Sequence, residues 1–270
     1  MKTIRGKFNT VQFIDAQSVQ KVAIDQKVAL PSRLKIEAWA LSFAKKNRIN
    51  VPRVLKYYLN SLGQEVLVTE RINGETLSPK ECQKHPQYLE DIGNQMALLG
   101  QVSSGYGWID PVTGFGCHKT WPSFLECLVW EYGSELVHLH LIEDKLLVRI
   151  QDAIKKTNLF CQPPFLLHRD LRPANFLRDR EGKIWIIDWE RAILGDPLYD
   201  IAMVGVRHGH GIFWEGLRKG YNLSISPWVY TLYEVIVLLG TADFYRQVSP
   251  KYQNELKITL KELHQLVQNI

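Results

Sequence analysis

The run LLHRDLRPANFL, residues 166–177, sets five ionisable or amide side chains between two apolar pairs, and IIDWE follows at 186–190. Desolvating Asp170, Asn175 and Asp188 among Leu166, Leu167, Phe176, Leu177 and Ile184–Ile187 is costly unless each group finds a partner. Any fold that buries this stretch must therefore gather its polar side chains into one site. The polar loop Asp179-Arg180-Glu181-Gly182 between two β-rich arms reads as a hairpin turn. With Glu181 and Gly182 at the tip, Arg180 faces Lys183, and the same register sets Asn175 opposite Asp188 at the open end. A one-residue bulge is the alternative.

An amide oxygen and a carboxylate gathered in this way suit Mg²⁺, a hard cation that shares oxygen ligands with substrate phosphates. Phosphoryl transfer needs a metal clamp, a carboxylate near the attacking hydroxyl and positive charge against the γ-phosphate. Asn175 and Asp188 are the candidate metal ligands, Asp170 the group that takes or orients the hydroxyl proton, and Arg172 the cation over the transferring phosphate. His168 fits better as a hydrogen-bonded support of the loop than as a catalyst.

Around this segment the chain changes character. Phe8–Ile14 and Ser18–Ile24 are short β-rich runs, Pro31-Ser32 opens a helical segment to about Asn47, and Val54–Leu59 with Glu65–Thr69 suggest a hairpin across residues 60–63. After Asn73-Gly74 helical patterns take over at 86–101, 121–140, 143–157, 197–220 and 227–268, with strands expected only within 165–188. This predicts an α+β chain with a small β-rich unit over 1–72 and a larger helical unit over 73–270. The net charge of +5 is spread thinly over 270 residues, which argues against a nucleic-acid or membrane-surface partner. No apolar leader opens the chain, and the greasy stretch 228–240 contains Glu234 and is too short to span a bilayer, so a cytoplasmic location is expected. Cys82, Cys117, Cys127 and Cys161 form no C-x-x-C pair and read as reduced thiols. Cys117-His118 with Cys127, and His208 with His210, repeat no zinc spacing.

HRDLRPAN carries His, Asp and Asn at the spacing His-x-Asp-(four residues)-Asn, IIDWE supplies the second aspartate, and GDPLYDIA follows at 195–202. In these motifs the chain resembles the aminoglycoside phosphotransferase and choline kinase family, which shares the protein-kinase fold. VTERINGETL (68–77), GYGWID and GFGCHKTWPSFLE (105–126) are similar to the hygromycin phosphotransferase branch. The resemblance implies a bilobal fold with nucleotide, ATP or alternatively GTP, bound between the lobes. It implies adenine read by backbone around Thr69 to Ile72, and Asp200 bracing the catalytic loop from a helix.

The same resemblance asks for a strand lysine on the α- and β-phosphates with a helical glutamate as its partner. Lys21 and Glu37 fit, with Lys27 a rival. Glu37 shares a helix face with Leu34 and Leu41, where a poorly hydrated acid wants a cation. Gly6–Thr10 is the one stretch similar to a phosphate-covering turn, it holds a single glycine, and barely five residues precede it. The expected activity is Mg²⁺-dependent transfer of a γ-phosphate to a hydroxyl of a small molecule such as an aminoglycoside, an amino alcohol or a sugar. For a cationic acceptor, Glu190 is the candidate substrate-binding acid, with Asp110, Glu131 and Glu135 more distant, and Trp121, Trp130, Trp185 and Trp189 either line a stacking pocket or belong to the core. A protein kinase is the second reading, opposed by the absence of Ala-Pro-Glu and by Trp189-Glu190 in place of Phe-Gly. A non-catalytic nucleotide-binding module is the third.

Overall fold

The computed structural model describes residues 3–5, 9–24, 32–100, 105–157, 163–248 and 250–270. Its N-terminal part is β-rich. Strands β1 (Thr3–Arg5), β2 (Asn9–Phe13) and β3 (Ser18–Ala23) precede helix α1 (Arg33–Lys46), and β4 (Val54–Leu59) and β5 (Glu65–Glu70) follow it. The five strands form one antiparallel sheet in the order β1-β2-β3-β5-β4. Short as it is, the stretch before the glycine turn does build a strand on β2. Gly6, Lys7 and Phe8 of that turn, Pro31 and the rival Lys27 lie outside the described residues.

Helix α1 starts where the Ser32 hydroxyl accepts from the Lys35 amide at 3.3 Å, satisfying one of the free N–H groups of the first turn. Lys45 and Lys46 close it, where cations complement the helix dipole. Leu34, Ala40, Leu41 and Ala44 are fully or nearly buried, and Glu37 is buried beside them. The β4–β5 turn is built by Asn60, whose side-chain oxygen accepts from the amides of Leu62 and Gln64, both at 2.9 Å.

The rest of the chain is mainly helical. Strand β6 (Gly74–Thr76) leads to α2 (Pro79–Lys84) and α3 (Gln87–Ala97). Strands β7 (Tyr106–Ile109) and β8 (Gly116–His118) precede α4 (Trp121–His138) and α5 (Asp144–Lys156). Then come β9 (Phe165–Leu167), β10 (Phe176–Asp179), β11 (Ile184–Ile186) and β12 (Ile193–Gly195), and after them α6 (Pro197–His208), α7 (Ile212–Tyr221), α8 (Pro227–Gln247) and α9 (Gln253–Leu266). Strands are thus not confined to 165–188. β6, β7, β8 and β12 are three or four residues long, too short for a two-residue period to register. They matter because they frame the polar loop: β6 pairs with β10, and β12 pairs with both β9 and β7. Helices α3 and α7 meet backbone to backbone at Gly93, where a Cβ would stand 2.4 Å from the Leu217 carbonyl oxygen. The apolar stretch at 228–240 forms the N-terminal part of α8, and every residue from Leu232 to Leu239 is buried in the core. Among the described residues no helix is long and apolar enough to cross a membrane.

The hairpin register differs from the expected one by a residue. Phe176 faces Ile186, Leu177 faces Trp185 and Arg178 faces Ile184, while the Asp179 amide donates to the Lys183 carbonyl at 3.0 Å. The loop is therefore three residues long and ends on Gly182 at φ +83. Asp179 imposes it: one carboxylate oxygen accepts from the amides of Glu181 and Lys183 at 3.0 and 2.9 Å, and the other from the Trp185 indole at 2.7 Å. Asn175 consequently faces Ile187, whose amide reaches the Asn175 carbonyl at 3.0 Å. Asp188 stands one residue beyond the ladder, in the left-handed region at φ +69.

Candidate active site

Three backbone segments converge on the loop between β9 and β10. From α6, Asp200 is buried with one carboxylate oxygen accepting from the His168 amide and the other from the Arg169 amide, both at 2.8 Å. Asp196 caps that helix at the Leu198 amide, 2.9 Å, and Pro197 takes the first helical position, so the GDPLYD run fixes where Asp200 points. Burial pushes the Asp200 carboxyl up despite these hydrogen bonds. His168 is fully buried. Its Nε2 lies 2.9 Å from the Ile187 carbonyl, and its Nδ1 accepts from the Asp170 amide at 3.2 Å, the pattern of a neutral ring protonated at Nε2. The ring therefore ties the loop to the strand that ends at Asp188.

Asp170 projects from this support, and the Asn175 side-chain nitrogen donates to its carbonyl at 2.8 Å and to its carboxylate at 2.9 Å. With the nitrogen so committed, the Asn175 oxygen is the atom left to meet a cation. Burial works against ionisation of Asp170, but Arg207, with Arg172 and the Asn175 hydrogen bond, outweighs it and holds the carboxyl below the usual range. Arg172 is half exposed, with Nε 3.0 Å from one Asp170 oxygen.

The strand lysine and helical glutamate meet. Lys21 Nζ lies 2.7 and 2.9 Å from the two Glu37 oxygens, and 2.8 Å from an Asp188 oxygen. Asp188 is 167 residues away in sequence, so one ammonium joins β3, α1 and the turn after β11. Burial opposes the charge on Asp188, but Lys21 pulls its carboxyl below the usual range. Burial raises Glu37 to about 7, against the pull of Lys21. Glu190 completes the group: oxygens of Glu37, Asp188 and Glu190 lie within 4.8 Å of one another. All three are hard oxygen donors of the kind a divalent cation such as Mg²⁺ takes. Around the adenine stretch, the amides of Glu70 and Arg71 are spent on the carbonyls of Arg53 and Gln17 at 2.9 and 2.7 Å. Thr69 is held in the ladder between Val19 and Val54, and the Ile72 amide has no hydrogen bond to the described residues.

Glu190 lies toward the N-terminal strands. It accepts from the Asn9 side chain and lies 3.7 Å from Arg33, on the Lys21 side of the site. Asp110 folds back on its own turn, accepting from the Val112 amide and the Thr113 hydroxyl at 2.8 and 3.0 Å. Trp121 and Trp189 are core, Trp185 staples the hairpin, and Trp130 is exposed. Two cations escaped the sequence reading. Arg207 Nη1 lies 2.9 Å from an Asp170 oxygen and 3.2 Å from the Arg169 carbonyl, and Arg191 sits in the same neighbourhood. The signal for Arg207 was its place seven residues after Asp200, on the same face of α6.

The fold these elements make is shared with solved phosphotransferase structures. Its likeness to a solved thermostable mutant of aminoglycoside phosphotransferase APH(4)-Ia, in ternary complex with ADP and hygromycin B, has a TM-score of 0.75 at 17% identity, covering 99% of this chain and 93% of that one. A choline/ethanolamine kinase family protein from Mesorhizobium loti follows at TM-score 0.67 and 18% identity, covering 99% and 87%. By sequence, Hygromycin-B 4-O-kinase of Escherichia coli is 24% identical over 163 residues, 57% of this chain. The match spans about half of that relative, 47% of its length. Residues 10–234 match the model of the phosphotransferase enzyme family, and the chain belongs to that family.

Proposed function

We propose that the protein is a Mg²⁺-dependent small-molecule kinase that moves the γ-phosphoryl group of ATP, or of GTP, to an alcohol. The observation that carries this reading is the Lys21 ammonium held between Glu37 and Asp188, with Asp170 hydrogen-bonded to Asn175 on the loop that His168 ties to the Ile187 carbonyl, one residue before Asp188. In this reading residues 1–72 and 73–270 are the two walls of the cleft. The protein works in the cytoplasm, where nucleotide is at hand. Membership of the phosphotransferase family and the likeness to Hygromycin-B 4-O-kinase support a small hydroxyl-bearing acceptor.

Lys21 would turn from Asp188 to the α- and β-phosphates while Glu37 keeps it oriented, and the Ile72 amide, three residues after Thr69 in the chain, would read the adenine edge. Asn175 and Asp188 would hold Mg²⁺, which when bound neutralises charge on the phosphate oxygens. Asp170 receives the acceptor's hydroxyl proton as the new O–P bond forms and the bond from the γ-phosphorus to the ADP oxygen breaks, and it later returns that proton to solvent. Arg172, at the rim beside Asp170, lies against the transferring group. His168 and Asp200 position the loop. Glu190 belongs with the metal-side acids.

The test is ATP consumption with and without Mg²⁺, against alcohols of different charge, for the wild type and Asp170→Asn. Metal-dependent turnover that the variant loses is the expected result. Undiminished turnover in the variant removes Asp170 from its role.

A further inference from the structure

The charges around Asp170 are lopsided. Each of its carboxylate oxygens carries one guanidinium, Arg172 Nε at 3.0 Å and Arg207 Nη1 at 2.9 Å. Behind them Arg169 is only 4% exposed, bonded through Nη2 to the Tyr132 hydroxyl at 2.9 Å, stacked 5.0 Å over Trp108, and its Nε has no partner. Arg191, half-buried, makes no hydrogen bond or ion pair with the described residues. Burial first, and then repulsion from Arg169 and Arg207, bring its guanidinium down to about 10. The acids facing this group have partners of their own: Asp188, which feels Arg172, is held by Lys21, and Glu190, which feels Arg191, is held by Asn9 and Arg33. Asp200 spends both oxygens on backbone amides, and Glu131 feels Arg169 from the exposed side of α4 while burial pushes its carboxyl up. Arg172 and Arg207 thus flank Asp170, and Arg169 and Arg191 lie close to Arg207, so positive charge gathers where the acceptor hydroxyl must come. A cationic alcohol would be repelled there and an anionic one attracted.

We propose that the acceptor is an anionic alcohol, a small molecule whose hydroxyl lies beside a carboxylate or a phosphate group, with the anion held by Arg191 and Arg207 in front of Arg169. The inference rests on the phosphotransferase reading and names its substrate class. Guanidinium forks match both anions in two-pronged geometry. Arg207 plays a double part: turning to the anion, it releases one Asp170 oxygen to accept the hydroxyl proton. The transfer itself is as above, with hydroxyl oxygen to phosphorus formed, phosphorus to ADP oxygen broken, and the acceptor's anion unchanged.

The experiment titrates the full chain, saturated with ADP and Mg²⁺, with inorganic sulfate by calorimetry, alongside Arg191→Gln, Arg191→Lys and Lys261→Gln, the last removing an exposed cation from α9. Sulfate is expected to bind the wild type and Lys261→Gln alike. Arg191→Gln weakens it about tenfold or more, the cost of one charge-assisted contact, and Arg191→Lys recovers part of the loss. Sulfate affinity that is absent, or unmoved by Arg191→Gln, overturns the proposal. A second arm compares ATP consumption with glycerate, glycerol 3-phosphate, glycerol and hygromycin B. The best of the first two tells carboxylate from phosphate. Preference for hygromycin B or glycerol overturns the anionic acceptor and leaves the kinase reading standing. If none is turned over, the sulfate titration decides alone. Failure of ADP with Mg²⁺ to bind defeats the kinase reading itself, and is seen before any sulfate is added.

Discussion

The surroundings of Lys21 and of Asp170 have opposite electrostatics. Around Lys21 one cation serves Glu37 and Asp188, with Glu190 beside them, so acid is in excess. Around Asp170 one carboxylate serves Arg172 and Arg207, with Arg169 and Arg191 near, so base is in excess. The difference teaches what each side waits for. Excess carboxylate is relieved by a divalent cation arriving with nucleotide, and excess guanidinium by an anion arriving with the acceptor.

The largest effect that tests this contrast is at Asp170. Asp170→Asn keeps the shape and the hydrogen bond from Asn175 but cannot take a proton, so kcat is expected to fall about 10²–10⁴-fold, measured as ADP release. Next comes the acidic side. Lys21→Met strands the Glu37 carboxylate, whose side chain is 3% exposed, and is expected to destabilise the protein by about 3–5 kcal/mol. Lys21→Met with Glu37→Leu removes both charges and should recover most of that stability in thermal melts while ATP affinity stays lost. A double variant as unstable as the single one would mean that the pair serves packing rather than charge.

The basic side gives a pH test. Burial pushes the Asp170 carboxyl up, and Arg207 is foremost among the groups that bring it down again. In Arg207→Gln burial is less opposed, so Asp170 binds its proton at higher pH, and the acid limb of kcat/KM moves toward neutrality. A raised KM for the acceptor with an unmoved limb would confine Arg207 to binding.

Much of this contrast was legible in the sequence and part was not. Asp170, Asn175 and Asp188 stood out because polar groups flanked by apolar runs must find partners, and Glu37 because its helix face is otherwise apolar. Lys21 and Glu37 meet at 2.7 Å across 16 residues, a distance that a strand followed by a helix spans locally. Arg207 and Arg191 were missed because nothing local marks them: Arg207 reaches Asp170 from 37 residues away, through a helix set by Asp196 and Pro197. Glu190 was singled out by adjacency to Asp188, and its contacts with Asn9 and Arg33, past the left-handed Asp188, were not legible from that adjacency. The hairpin register slipped for a similar reason, since the side chain of Asp179, rather than the count of tip residues, decides which amides pair.

That register yields the smallest and most local prediction. Gly182 closes the three-residue loop at φ +83, with nothing within 4 Å of where a Cβ would stand. Gly182→Ala therefore meets no clash and bears only the backbone cost of a left-handed residue, about 1–2 kcal/mol, while Gly182→Asn, which tolerates that region better, should lose less. If the loop had a two-residue tip with Asn175 paired to Asp188, the ladder would be free to reset and the two variants would also change Mg²⁺ affinity. With the observed register the hairpin is pinned independently by Asp179 and by His168 on the Ile187 carbonyl, 2.9 Å. Both variants should then melt earlier yet bind Mg²⁺ as the wild type does. A shift in metal affinity larger than the loss of stability would show that Asp188 is held by the turn rather than by Lys21.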